Sequence, residues 1–278
     1  MTRRATRPVL KWAGGKTQLL ERILPLLPES IETYYEPFVG GGAVFFALAT
    51  QQRFRRAVIS DRNADLLSVY RALQADAEAV ISELKRMRHS EEEYYRVRAA
   101  RPRTLVKRAA RVIYLNKTGY NGLYRVNRSG GFNVPFGRYK NPNICDEPNL
   151  RAAASALQGV EILEADFETV CKKAKPGDAV YFDPPYLPLS ITSNFSAYHS
   201  LPFGLEEHAR LARVFGALAD RGVGAVLSNS STPESKKIFA GFKGTVVPVS
   251  RPINSKANGR GHIDELLLVN QPGRLRRV

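Results

Sequence analysis

Short apolar runs alternate along this chain with stretches whose apolar residues recur every three to four positions. TYYEPFV, from Thr33, predicts a strand; the following GGG predicts a turn and AVFFALAT the helix behind it. RAVISD predicts a second strand ending on Asp61, and NADLLSVYRALQ a helix after it. GVEILEAD and DAVYFDPPY read as two more strands, ending on the carboxylates Asp166 and Asp183. FGLEEHARLARVFGALADRG is amphipathic and stops at Gly222. GAVLSN then predicts another strand, and GTVVPVS with ELLLVN an antiparallel pair at a sheet edge. Strands alternating with helices predict an α/β fold, with a mostly parallel sheet covered on both faces.

Residues 75–150 break this rhythm, opening with charged helices and passing into NKTGYNGLYRVNRSGGFNVPFGRYKNPN, dense in Asn, Gly, Arg and Tyr. Within it LYRVN, RSGG and FNVPF predict a β-hairpin with a glycine turn. We read 75–150 as a domain inserted between the strands carried by 1–74 and 151–278. A helical elaboration of one core is the alternative.

Charge sharpens the picture. Lys and Arg number 42 against 26 Asp and Glu, a net charge of +16. Such an excess favours a polyanion, most simply nucleic acid, through counterion release from phosphates; a solubility or membrane-surface role is the other reading. Only Cys145 and Cys171 are present, so no disulfide framework or cysteine-rich metal site is expected. No apolar run approaches the ~20 residues of a membrane span. The basic N-terminus lacks the apolar stretch of a secretory signal. A soluble, cytoplasmic protein is expected. His89, His199, His208 and His262 lie without ligand spacing, so no metal is expected.

Three motifs carry candidate chemistry. LKWAGGKTQLL ends like a phosphate-cradling P-loop, but position 10 is Leu where the P-loop requires its first glycine. EPFVGGG places glycines where a strand turns into a helix, allowing close approach of backbone to a ligand. Asp61, about 20 residues on, stands where a carboxylate grips ribose hydroxyls; together they suggest an adenosine-containing ligand. In DPPY, two prolines stiffen the chain past a strand end. They make the Asp183 carboxylate and Pro184 carbonyl rigid acceptors beside the Tyr186 ring. Such acceptors suit a planar base bearing an exocyclic amine that must become a nucleophile. A proline-rich stop whose Asp caps the next segment is the bland alternative.

KWAGGK, YYEPFVGGGAVFF, SDRNADL, NGLYRVNRSGGFNVPFGRYK and DPPY, in this order, resemble the Dam family of DNA adenine-N6 methyltransferases, D12-type, in its alpha arrangement. The similarity runs from about residue 8 to 270. It implies a Rossmann-like class I methyltransferase sheet with an inserted, mostly helical DNA-recognition domain carrying a β-hairpin. S-adenosyl-L-methionine would be the donor and S-adenosyl-L-homocysteine the product. The resemblance implies Asp183, Pro184, Pro185 and Tyr186 as catalytic. It implies Trp12, Lys16, Glu36, Phe38, Gly40, Gly42, Asp61, Asp166 and Asp183 as donor-binding. For DNA it implies Lys11, Tyr120, Asn121, Leu123, Arg125, Arg138 and Tyr139, with Asn194 and Tyr198 from the loop after DPPY. The partner implied is double-stranded DNA with adenine flipped from the stack, a GATC-type site being favoured. Members of the family stand alone or accompany a restriction endonuclease, and a monomer would suffice. Such enzymes work at the nucleoid of bacterial or archaeal cells or are phage-encoded. A DNA-binding protein with a vestigial pocket, or an enzyme acting on RNA or cytosine N4, are the alternatives; cytosine-N4 enzymes commonly carry Ser where Asp183 stands.

Overall fold

The apolar runs become strands β1 (Ile31–Glu36), β2 (Phe54–Asp61), β3 (Glu161–Glu164), β4 (Ala179–Phe182), β5 (Gly224–Ser230), β6 (Lys243–Ser250) and β7 (His262–Val269). The computed structural model describes residues 6–12, 14–127, 129–187, 203–250 and 262–270. The strands form a seven-stranded sheet in the order β3-β2-β1-β4-β5-β7-β6. β1 pairs in parallel with β2 and β4, and β4 with β5; β7 runs antiparallel to β5 and β6. All residues of β4 are buried, as a continuous apolar run in a central parallel strand requires. β6, at the edge, carries Pro248, whose missing N–H a central strand would not tolerate. The strand order reverses between β1 and β4, the switch point beyond which ligands sit in such sheets.

The helices are α1 (Leu20–Ile23), α2 (Ala43–Thr50), α3 (Ala64–Lys85), α4 (Glu91–Ala99), α5 (Leu105–Thr118), α6 (Glu147–Leu157), α7 (Phe167–Cys171), α8 (Leu205–Asp220) and α9 (Pro233–Ile238). Among the described residues none is long and apolar enough to cross a membrane. The chain divides into two compact units. One is drawn from Met1–Thr17, Val39–Gln52 and Asp61–Glu164, the other from Gln18–Phe38, Arg53–Ser60 and Ala165–Val278.

In the first unit α3 packs on α5 and α6. Side-chain oxygens of Asn63, Ser90, Thr104 and Asp146 cap α3, α4, α5 and α6. α3 breaks at Asp76 (φ −159°, ψ 89°), whose carboxylate accepts from Ala79 N at 2.9 Å and so starts the helix afresh. The expected hairpin forms as antiparallel bridges, Gly119 to Phe136 and Val126 to Phe132. Its turn is closed by Asn127 N donating to Gly131 O at 2.8 Å, with Gly130 left-handed at φ 75°. The buried Tyr94 hydroxyl on α4 ties it down by donating to Val134 O at 2.9 Å. In the second unit Tyr34, Tyr181, Phe182 and Phe215 fill the core around the parallel strands.

Candidate active site

The glycine turn after β1 is left-handed at Gly40 (φ 45°) and Gly42 (φ 70°). A Cβ on Gly40 would stand 2.8 Å from Trp12 Cδ1, so the indole lies directly on the backbone there. Gly40 N donates to Asp61 Oδ2 at 3.1 Å and Asn63 N to Asp61 Oδ1 at 2.9 Å. Burial raises the Asp61 pKa, and backbone N–H groups of Asn63, Gly40 and Arg62 work against that rise. A carboxylate offers about four lone-pair directions, leaving acceptor capacity for a ligand hydroxyl. The Tyr70 hydroxyl donates to Gly40 O at 2.6 Å and fixes the turn from behind.

Trp12 also packs against Tyr124 at 5.4 Å between ring centroids. Lys16, 3% exposed, folds back so that its ammonium donates to Gly14 O. The Gly-Gly between them is what permits this: Gly14 is left-handed at φ 76°, and Gly15 N donates to Trp12 O at 3.1 Å. These residues of the first unit, Trp12, Lys16, Gly40, Gly42 and Asp61, therefore share one neighbourhood built from the expected motifs.

The second unit gathers a different set at the carboxyl ends of β1 and β4. Glu36, 2% exposed, accepts from the Tyr34 hydroxyl at 2.7 Å. The Tyr181 and Ser228 hydroxyls are 2.6 Å apart, and Ser228 donates to Asp183 Oδ1 at 3.4 Å. The Tyr186 hydroxyl donates to Glu265 Oε2 at 3.0 Å. Burial pushes the pKa of Tyr186 far up, reinforced by Asp183 and Glu265; Tyr181 and Tyr34 are raised by burial, then by Asp183 and Glu36 respectively. All three phenols therefore stay protonated: Tyr34 and Tyr186 donate to Glu36 and Glu265, and Tyr181 shares its hydrogen bond with the Ser228 hydroxyl. Pro184 is buried and Pro185 exposed, which seats the DPPY segment against the sheet on one side only.

Phe38 joins an aromatic group with Phe167 (5.4 Å), Phe203 (5.5 Å) and Phe182 (6.5 Å). Asp166 caps α7 through Glu168 N at 3.0 Å and grips Arg210 with both oxygens at 2.8 Å. Arg210 in turn lies 4.1 Å over the Phe167 ring.

Of the expected DNA-contacting residues, Tyr120 (48% exposed), Leu123 and Arg138 face outward. Asn121 adopts φ 54°, a conformation Asn tolerates. Arg125 donates to Asn133 Oδ1 at 2.7 Å and Asn133 O at 3.1 Å across the hairpin. Lys11 lies with its ammonium 4.9 Å over the Tyr139 ring. Asn116 holds Lys11 by accepting from its backbone N at 2.8 Å and donating to its O at 2.7 Å. Asn194 and Tyr198 lie outside the described residues. Among the described residues no cluster of His, Cys, Asp or Glu is arranged to hold a metal ion.

Glu265, Arg210, Asn116 and Tyr124 had no signal in the sequence. Each sits in an ordinary helix, strand or loop context and acquires its role only through a partner far along the chain. The Ser-rich stretch VLSNSST around Ser228 reads by resemblance as a strand end forming one wall of the target-base pocket.

The family model described as D12 class N6 adenine-specific DNA methyltransferase matches residues 12–251. Type II methyltransferase M.MjaIII of Methanocaldococcus jannaschii is 44% identical, over 95% of this chain and 99% of its own. Type II methyltransferase M1.LlaDCHI of Lactococcus lactis is 41% identical, over 95% of each chain. The DNA adenine methylase of Escherichia coli is 38% identical, over 96% of each. With the motifs in place on a Rossmann-like sheet, this chain belongs to the D12 class of N6 adenine-specific DNA methyltransferases.

Proposed function

We propose that the protein transfers a methyl group from S-adenosyl-L-methionine to N6 of an adenine flipped out of double-stranded DNA. The observation that carries this reading is the end of β4. There Asp183 meets Ser228, and the Tyr186 ring is tethered by Glu265. The Asp183 carboxylate and Pro184 carbonyl accept the two N6 hydrogens, and Tyr186 stacks on the base. Acceptors pulling on those hydrogens favour a pyramidal nitrogen with an available lone pair, and fixed placement supplies much of the remaining acceleration.

The residues fit the donor. Gly40 leaves no room for a Cβ beside Trp12, and Asp61 keeps acceptor capacity for ribose hydroxyls. Trp12, Lys16, Glu36, Phe38, Gly40, Gly42, Asp61, Asp166 and Asp183 would hold it, Lys16 toward its carboxylate. When bound, it supplies an electrophilic sulfonium methyl. Asp166 enters this set as a side chain already gripped by Arg210.

Residues 75–150 act as the DNA-recognition domain in this reading, with the hairpin in the major groove, which accepts a two-stranded ribbon. Tyr120 wedges into the gap left by the base, and Asn121, Leu123 and Arg125 read base edges at a GATC-type site. Lys11, Arg138 and Tyr139 add contacts beside them, as do Asn194 and Tyr198. The likeness to two Type II methyltransferases supports a role beside a restriction endonuclease.

Asp183→Ala tests the reading. Transfer of labelled methyl to duplex DNA is expected to vanish while the variant melts cooperatively and retards DNA like the parent. Undiminished transfer, or label only on cytosine, refutes it.

A further inference from the structure

The connection between α4 and α5, the first turns of α5 and the hairpin turn together line a cavity of about 200 Å³ in the first unit. Its lining includes Asp65, Arg101, Arg108, Arg111, Gly130 and Phe132. None of the three arginines belongs to the residues expected to bind the donor or to read bases.

Arg111 is only 8% exposed. Its Nε donates to Val97 O at 3.0 Å and its Nη2 to Arg98 O at 2.7 Å, both carbonyls in the last turn of α4. Among the described residues Nη1 has no hydrogen-bond partner. Arg108 is one turn earlier on the same face of α5, half-buried, and its guanidinium bonds to none of the described residues. Arg101 reaches only Ala100 O, at 3.4 Å, and its Nη2 lies 3.4 Å from where a Cβ on Gly131 would stand. Asp65 is the one carboxylate in the lining, and its Oδ2 already accepts from the Tyr124 hydroxyl at 2.9 Å.

Three arginines thus line one small concave space with a single carboxylate. Burial lowers the Arg111 pKa; Asp65 offsets part of that, and Arg101 adds to it. A solvated basic face would leave its arginines in water. Here one is desolvated, held rigidly by two carbonyls, and directed at a void. Guanidinium forks arriving from an extended segment and from two successive turns of a helix suit a tetrahedral oxyanion.

We propose that this cavity is a phosphate-binding site, built by Arg101, Arg108 and Arg111, that fastens the recognition hairpin to α5 around one phosphate group. The phosphate comes either from the DNA backbone or from a free phosphoryl anion. The DNA source rests on the nucleic-acid reading above. The free-anion source does not, so the two fail separately.

The test uses the full chain and Arg108→Gln, at a half-exposed position whose guanidinium bonds to none of the described residues. Lys107→Gln removes the same charge from the exposed neighbouring position as a control. Melting is followed against inorganic phosphate at constant ionic strength, with chloride as the balancing anion. The parent and Lys107→Gln are expected to show a saturable rise in Tm that Arg108→Gln weakens about tenfold or more in phosphate concentration. Duplex affinity is then followed against salt, where loss of one phosphate contact lowers the slope of log K against log salt by about one. Both responses support a site filled by DNA. A Tm response with an unchanged slope supports a free phosphoryl, and a changed slope alone supports a backbone phosphate. If the melting of all three chains ignores phosphate and their salt slopes coincide, the proposal is overturned; an equal phosphate response in the parent and Arg108→Gln, with equal slopes, overturns it too.

Discussion

Tyr186→Phe keeps the aromatic face of DPPY and deletes one atom, the oxygen whose hydrogen is donated to Glu265 Oε2 at 3.0 Å. A hydrogen bond to a charged acceptor contributes about 1.5–3 kcal/mol. At roughly 2–4 °C per kcal/mol for a chain of this size, the variant is expected to melt about 3–12 °C lower. Glu265→Gln retains an acceptor of the same shape without the charge and should lose about half as much. The double variant isolates the pair: denaturant melts of the four proteins give a coupling energy, expected near 1 kcal/mol or more. Because burial, with Asp183 and Glu265, holds the phenol far above its usual pKa, the effect should be flat from about pH 6 to 9. Methyl transfer by the same proteins should fall in kcat with DNA affinity retained, since the ring loses its tether but not its face. A coupling energy below about 0.3 kcal/mol would show that Glu265 does not hold Tyr186.

Three further outcomes follow from the geometry. Gly40→Ala places a methyl 2.8 Å from Trp12 Cδ1 at a backbone φ of 45°. It should cost about 1–2 kcal/mol from the left-handed backbone alone, weaken donor binding, and shift the emission of the chain's single tryptophan; unchanged fluorescence would contradict the packing. His208 is fully buried, donates from Nδ1 to Gly204 O at 2.8 Å, and has no described partner at Nε2. Burial lowers its pKa below the usual 6.5, so the unfolded chain takes up a proton the folded chain resists. Stability should therefore fall as pH drops below about 6.5. His208→Gln should flatten that part of the curve, and parallel curves in urea melts would refute the assignment. Arg125→Ala should leave Tm nearly unchanged at this exposed position while discrimination between duplexes differing at the guanine drops by about 1–3 kcal/mol; equal discrimination in binding assays would remove Arg125 from the readout.

Apolar period and turn chemistry are local properties, and what they encode was legible directly. The strands ending on Asp61 and Asp183, the glycine turn at Gly40–Gly42 and the hairpin around Gly130 all appear where their patterns place them. The charged opening of 75–150 follows the preceding helix across a kink, because Asp76 both breaks α3 and caps its continuation. The motif residues pointed to a methyltransferase family by resemblance, while their own chemistry, rigid acceptors and close backbone, pointed to an adenosine-containing ligand and a base with an exocyclic amine. What remained hidden was every role defined by a distant partner. Glu265 meets Tyr186 across 79 positions, Arg210 occupies Asp166 across 44, and Asp65 shares a cavity with three arginines of another segment. Periodicity says which face of an element is buried but not which element covers it. Strand order and helix packing make that choice, and with it they decide which charges are matched and which are left facing a void.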